Sequence, residues 1–391
     1  MNLPPLQKTY LDYAATTPVD ERVLQAMLPF FREQFGNTSS THGFGQQAEA
    51  ALETARETVA GCLNCTPGEV IFTSCGSESD NLALRGVALA MRRKSGADHL
   101  LISPLEHHAV LRTAQQLARV HGFEVEYLPV DAQGQVDPQD VARRIRRSTA
   151  LVSVMYANNE IGTIYPVAEI GAICQERGVP FHSDAVQAAA YLAVDVQALQ
   201  VDLLALGAHK FYGPKGVGAL YVRRGTPILP ALTGGSQEFG LRAGTHNTPY
   251  IAGFAEALRL AGAERAVRSA HVQPLRDRVI GRVLEEIPQT QLTGALQPRL
   301  PNHASFVFHG VDGNALLMLL DLAGFACSSG SACKTGDPEP SEVLTGLGLG
   351  RDWALGSLRV TLGADSTAQD VERFLEALPA AVAQARAFNG G

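Results

Sequence analysis

The most specific chemistry in this sequence belongs to a lysine and an aspartate. Lys210 closes the apolar run Val201-Asp-Leu-Leu-Ala-Leu-Gly-Ala-His209-Lys210. Asp184 closes a similar run upstream, Val179-Pro-Phe-His-Ser-Asp184, with Gln187 shortly after it. An amine and an acid at the ends of neighbouring strands are the two protein groups that pyridoxal phosphate needs. The lysine joins the cofactor's aldehyde, and the acid keeps the pyridine nitrogen protonated so that the ring accepts electrons.

A phosphate site is the next requirement. Phe72-Thr-Ser-Cys-Gly76-Ser77-Glu-Ser-Asp-Asn81 leaves a strand, turns on a glycine and enters a helix expected to start near Ser79. Backbone N–H groups at such a start, with a serine hydroxyl, bind anions. Gly-Ser turns before helices are common, so the reading gains force only beside Lys210. Gly213-Pro-Lys-Gly-Val-Gly218 is a degenerate glycine fingerprint, but a strand follows it where a dinucleotide site requires a helix, and it is set aside.

Other polar groups fall at strand ends. Glu106-His107-His108 follows a strand ending at Ser103, so His107 could cover a planar ring and move protons; a capping histidine fits the same pattern. Asn158-Asn159-Glu160-Ile-Gly162 brings amides to the same rim, though a polar turn reads alike. Arg359, in Ser357-Leu-Arg359-Val-Thr-Leu-Gly363, could clamp a carboxylate bidentately, against the plainer reading of a surface arginine. Cys333 lies in Cys327-Ser-Ser-Gly-Ser-Ala-Cys333, inside the irregular stretch from Ser328 to Ser341. A thiol there would be exposed, and Lys334 would favour its thiolate, so a nucleophile is expected. Cys62-Leu-Asn-Cys65 has metal-like spacing without a second pair or histidine and is read as structural, with no metal site expected. Cys75 and Cys174 are read as inert.

These groups need a frame. Short apolar runs at Val70, Leu100, Val125, Leu151, Val179, Leu203 and Ala219 alternate with amphipathic stretches such as Val110 to Val120 and Val167 to Arg177. That alternation predicts an α/β domain on a mostly parallel sheet flanked by helices, with ligands beyond the carboxyl ends of the strands. After about residue 250 a long helical region (Ile251 to Glu286) leads to strands at Ser305 and Leu358 and a closing helix near Gln369 to Ala387. This predicts a second, smaller α+β domain.

Composition narrows the partners. A net charge of −7 gives no reason to expect nucleic acid or an anionic membrane, and no run approaches the ~18 apolar residues of a membrane span. Arg143, Arg144, Arg146 and Arg147 are read as the solvated face of a helix. The start Met1-Asn-Leu-Pro-Pro-Leu-Gln-Lys lacks a signal-peptide pattern, and six cysteines are too few for a disulfide framework, so a cytoplasmic setting is expected.

Together these residues resemble the cysteine desulfurases of the NifS/IscS type, class V relatives of the fold-type-I aminotransferases. The match runs nearly end to end. It includes Tyr10-Leu-Asp-Tyr-Ala-Ala-Thr-Thr-Pro18, Thr73 to Asn81, Glu106-His-His-Ala-Val, Asn158-Asn-Glu-Ile-Gly and His182-Ser-Asp-Ala-Val-Gln187. It continues through Ala208-His-Lys-Phe-Tyr-Gly-Pro-Lys-Gly216, Arg242-Ala-Gly-Thr245, Ser328-Ser-Gly-Ser-Ala-Cys333, Glu339-Pro-Ser and Leu358-Arg-Val-Thr-Leu-Gly.

The resemblance implies a pyridoxal 5'-phosphate fold-type-I homodimer. Its large domain would span 16–254; its small domain would comprise 1–15 and 255–391 and carry the cysteine loop at about 327–341. Lys210 would hold the cofactor and move the α-proton, Asp184 would pair with the pyridine nitrogen, Gln187 would bond the phenolic oxygen and His107 would stack on the ring. Gly76, Ser77, Gly207 and His209 would hold the phosphate, with Thr245 reaching over from the other subunit. Asn159 and Arg359, and less directly Asn37, would take the substrate carboxylate. Cys333 would accept sulfur from L-cysteine as a persulfide and release L-alanine, feeding iron–sulfur cluster assembly or another sulfur acceptor, such as a scaffold or carrier protein.

Two departures stand out. The family usually has a serine where this chain has Gly207, so one hydroxyl to the phosphate is missing, worth about 1.5–3 kcal/mol if nothing replaces it. Cys333-Lys-Thr-Gly-Asp-Pro-Glu-Pro replaces a more Ser/Ala-rich run, although its length suits the branch that hands sulfur to scaffold proteins. A selenocysteine lyase, a class V aminotransferase and a sulfur-relay protein are the rival readings.

Overall fold

The computed structural model describes residues 8–330 and 339–389. Seven short strands build the main sheet: β1 (Val70–Thr73), β2 (His99–Ile102), β3 (Glu124–Tyr127), β4 (Thr149–Ser153), β5 (Phe181–Asp184), β6 (Leu203–Gly207) and β7 (Gly218–Val222). Their order is β1-β7-β6-β5-β4-β2-β3, and every pairing is parallel except those of β7. The carboxyl ends of β1, β2, β4, β5 and β6 therefore share one edge, with Thr73, Ile102, Ser153, Asp184 and Gly207 along it.

Both faces of this sheet are buried except at the edge strand β3, whose residues are exposed or half-buried. Alternate residues enter two separate cores: Ile71, Leu100, Ile102, Leu203 and Ala205 in one, Val70, Phe72, Leu101, Leu204 and Leu206 in the other. That is why the strands read as continuous apolar runs. Helices α1 (Gly43–Leu63), α2 (Gly76–Ser95), α3 (His108–His121), α4 (Pro138–Arg144) and α5 (Val167–Arg177) pack around it. The long helix α6 (Thr248–Glu286) then leads to an antiparallel sheet of β8 (Thr290–Leu292), β9 (His303–Phe308) and β10 (Ser357–Thr361), in the order β10-β9-β8. Helices α7 (Gly313–Leu322) and α8 (Ala368–Asn389) accompany it. No helix among the described residues is long and apolar enough to cross a membrane.

Two details differ from expectation. Helix α2 starts at Gly76, not near Ser79, because the Ser79 hydroxyl turns back to Thr73 Oγ1 at 2.7 Å and the glycine itself enters the first turn. Glycine is needed there: a Cβ would lie 2.6 Å from Val186 Cγ2. The basic cluster is likewise not one helical face. Arg143 and Arg144 end α4, Arg146 lies beyond it, and the three pair with Asp140, Glu126 and Glu124.

The chain's amino-terminal stretch forms a separate two-stranded sheet with a later segment and touches the second sheet at one bridge. Thr9–Tyr10 pairs with Phe325–Ala326, Asp12 bridges to Thr361, and Ser328 bridges to Arg359. These contacts bring Tyr10 to Pro18 alongside the edge that carries Asp184 and Lys210.

Candidate active site

A cavity of about 260 Å³ opens at that edge. Lys210 ends a single 3₁₀ turn after β6, and its Nζ donates to Ala14 O at 2.6 Å and Ala15 O at 2.7 Å. Burial, then the charge of Arg359, lowers its pKa to about 8, with Asp12 and Asp184 opposing. Its ammonium is thus made easier to deprotonate than an ordinary lysine's.

Asp184 closes β5 and is almost fully buried, accepting from Val186 N–H at 2.8 Å. Burial, then Asp80, raises its pKa to about 7, while His107 and His182 oppose. Asp80, from the second turn of α2, is raised to about 8 by burial. Glu106 is pushed well up, chiefly by burial and then by Asp184. Crowded buried acids cannot all ionise without a counter-charge, so this wall is built to receive a cation. His107 caps α3, accepting from Ala109 N–H through Nδ1 at 3.1 Å. The neutral ring therefore carries its proton on Nε2. Its ligand atom lies within 4.8 Å of those of Asp80 and Asp184, and burial holds its pKa below the ordinary value against the pull of Asp184.

At the opposite end, Gly76 and Ser77 form the first turn of α2, where N–H groups have no intrahelical partner. His209 stands beside them, its Nδ1 3.1 Å from Thr16 Oγ1, and burial and neighbouring lysines lower its pKa to about 4. Gly207 does not line the cavity but backs onto the Gly76 amide. Gln187 lines it and donates one Nε2 proton to Ala14 O at 2.8 Å, which leaves its second proton free for a ligand. Amine, acid, amide and anion-binding helix start stand around one cavity of small-molecule size, and this donor set fits pyridoxal phosphate.

Arg359 and Asn159 complete the lining. Asn158 is the structural member of its pair: its Oδ1 accepts from the N–H groups of Glu160 and Ile161, and its Nδ2 donates to Leu105 O. The turn ends at Gly162, where φ is +73° and a Cβ would lie 2.7 Å from His303 Nδ1. The Asn159 carbonyl accepts from Arg359 Nη1 at 2.9 Å. Thr245 is exposed and outside the cavity of its own chain, and Asn37 closes a local turn through Ser39 N–H. Cys333 and Lys334 lie outside the described residues. Cys174 is buried and its thiol is pushed up, Cys65 is pushed up to about 12, and Cys62 is raised, all mainly by burial. Cys75 lines the cavity beside Gly76.

Sequence reasoning passed over Asp12, Asp80 and the carbonyls of Ala14 and Ala15. Asp80 had a readable signal, since it sits one helical turn beyond Gly76. The two carbonyls had none, because their role belongs to the backbone.

Comparison with known proteins places this arrangement in context. The aminotransferase class-V family model matches residues 9–374. A cysteine desulfurase IscS of Clostridium botulinum is 46% identical over 382 residues, covering 97% of this chain and 96% of that protein. Among solved structures, a NifS-like protein superposes with a TM-score of 0.89 at 37% identity, covering 96% of this chain and all of its own. SspA in complex with cysteine reaches 0.78 at 34% identity, covering 92% and 99%.

Proposed function

The chain belongs to the aminotransferase class-V family, and from that premise we propose that it is a cysteine desulfurase that takes sulfur from L-cysteine and leaves L-alanine. The observation that carries this is Lys210, Asp184 and Arg359 lining one cavity in a chain that is 46% identical to a cysteine desulfurase. Pyridoxal phosphate, when bound, supplies an aldehyde for amino groups and a ring that draws electrons from the substrate's α-carbon.

Each residue's part follows from its surroundings. Lys210 binds the cofactor, and its lowered pKa leaves a usable neutral fraction near pH 7 to take the α-proton. Asp184 pairs with the ring nitrogen, whose positive charge offsets the crowding of Asp80 and Glu106. Gln187 donates to the phenolic oxygen and His107 covers the ring. Gly76, Ser77 and His209 hold the phosphate, with Gly207 behind them. Asn159 and Arg359 hold the substrate carboxylate. Cys333, as thiolate, bonds to the substrate sulfur as the carbon–sulfur bond breaks, giving an enzyme persulfide and L-alanine.

A homodimer belongs to the same reading, with Thr245 of the partner subunit completing the phosphate site, and Asn37 is a further partner for the substrate carboxylate. The exposed aromatic side chains Phe31, Phe35, Phe44 and Phe239 support it. A two-domain division within α6, a cytoplasmic setting and a sulfur-accepting scaffold or carrier protein belong to the same reading.

The test is release of alanine and sulfide from L-cysteine with a thiol reductant. Equal amounts from wild type, lost in Cys333→Ala and Lys210→Ala, are expected. Full activity in Cys333→Ala would replace the reading with a lyase, and no alanine from cofactor-loaded wild type would end it.

A further inference from the structure

Asp12, in the stretch from Tyr10 to Pro18, joins two parts of the site that the reaction uses separately. Its Oδ1 accepts from Arg359 Nη2 at 2.8 Å, and its Oδ2 accepts from the Ser328 hydroxyl at 2.7 Å. Both carboxylate oxygens are thus spent on these two residues, and the carboxylate is largely shielded from solvent. Arg359 and Ser328 are also tied directly, Arg359 N–H donating to Ser328 O at 2.6 Å and Ser328 N–H to Arg359 O at 3.3 Å.

The guanidinium is held at two corners and free at the third. Nη2 goes to Asp12 and Nη1 to the Asn159 carbonyl, while the buried Nε has no partner among the described residues. A guanidinium carries five N–H groups in one plane, and with one engaged on each Nη the two anchors fix that plane, so the remaining N–H groups point in set directions, which is what recognition of a carboxylate needs. An unanchored arginine would lose side-chain freedom on binding and bind more weakly.

We propose that Asp12 is a positioning residue that orients the Arg359 guanidinium toward the substrate carboxylate and, through its other oxygen, anchors Ser328, which precedes Cys333 in sequence. The inference rests on the reading of Arg359 as the carboxylate partner. It assigns Asp12 no contact with substrate or cofactor, so its effect should appear in binding before it appears in chemistry.

L-alanine is the probe, since it carries the same α-carboxylate without the thiol. Its binding to the holoenzyme can be followed by the absorbance of the bound cofactor, beside steady-state sulfide release from L-cysteine. Asp12→Asn, which keeps the shape and removes the charge, should weaken L-alanine by about tenfold and raise KM for L-cysteine by a similar factor. Arg359→Gln should weaken L-alanine further. Ser328→Ala should leave L-alanine binding unchanged and lower kcat alone. Asp12→Asn that binds L-alanine as well as wild type or better, beside a weakened Arg359→Gln, would overturn the positioning role and leave Arg359 standing. Arg359→Gln with unchanged binding would remove the carboxylate role, and Asp12's with it. A Ser328→Ala variant with wild-type kcat would remove the second half of the proposal.

Discussion

The cavity's two walls are built differently. One is the carboxyl edge of the main sheet, where Asp184 closes a strand and Gly76, His107 and Lys210 each follow one within a few residues. The other is assembled from opposite ends of the chain: Asp12 meets Arg359 across 347 positions and Ser328 across 316. The first wall concentrates buried ionisable groups with displaced pKa values. The second concentrates hydrogen bonds between side chains and backbone. The sheet edge thus carries the electrostatics of the reaction, and the joined chain ends carry the geometry of substrate capture. Damage to the first should remove chemistry, and damage to the second should weaken binding.

The largest effect should come from the sheet edge. Lys210→Ala removes both the cofactor's attachment and the base, so alanine release should fall by roughly a thousandfold or more. Borohydride, which fixes the cofactor to wild type, should no longer do so. On the other wall, Arg359→Lys keeps the charge but loses the fork. KM for L-cysteine should rise by about tenfold or more with kcat much less affected. A fall in kcat as large as that of Lys210→Ala would erase the distinction between the walls.

Legibility followed the same divide. Lys210, Asp184, Gln187 and His107 could be found because each sits in a short motif at the end of an apolar run, so local sequence already states where the group will stand. The start of α2 was misplaced because the Ser79 hydroxyl, which the sequence would place at the helix start, turns back to Thr73 instead, a contact that sequence does not display. Asp12 was quoted within a motif and given no role, because its partners lie hundreds of positions away. The second sheet and the long helix were visible as patterns, but which groups they deliver to the cavity was not, apart from Arg359.

A smaller effect tests the crowding of acids. In the folded apoenzyme burial keeps Asp80 protonated up to about 8 and Asp184 up to about 7, whereas in the unfolded chain both ionise near the ordinary aspartate value of about 4. The folded state therefore binds more protons across that window, and these two groups reduce stability as pH rises from about 4 to about 8. His182 and His209, both lowered to about 4, oppose them only up to their ordinary value of about 6.5. Asp80→Asn should remove one of the acids and relieve the other. In thermal unfolding it should gain over wild type at pH 8, on the order of a few kcal/mol, and lose that gain near pH 4. A gain independent of pH would mean that Asp80 acts through packing and not charge.

The smallest expected effect concerns Gly207. A Cβ there would lie 3.4 Å from the Gly76 amide nitrogen and 3.6 Å from Val186 Cγ1, near ordinary contact, and φ at −139° suits any residue. Gly207→Ser should therefore fit and set a hydroxyl beside the first amide of α2. If that hydroxyl reaches the phosphate, cofactor should dissociate about tenfold less readily, with kcat unchanged, as read by equilibrium titration of the apoenzyme. An unaltered dissociation constant would mean that the Gly76 and Ser77 amides with His209 already satisfy the phosphate. The sheet edge would then be complete without the hydroxyl, and any remaining room for tighter binding would lie on the wall that the chain ends build.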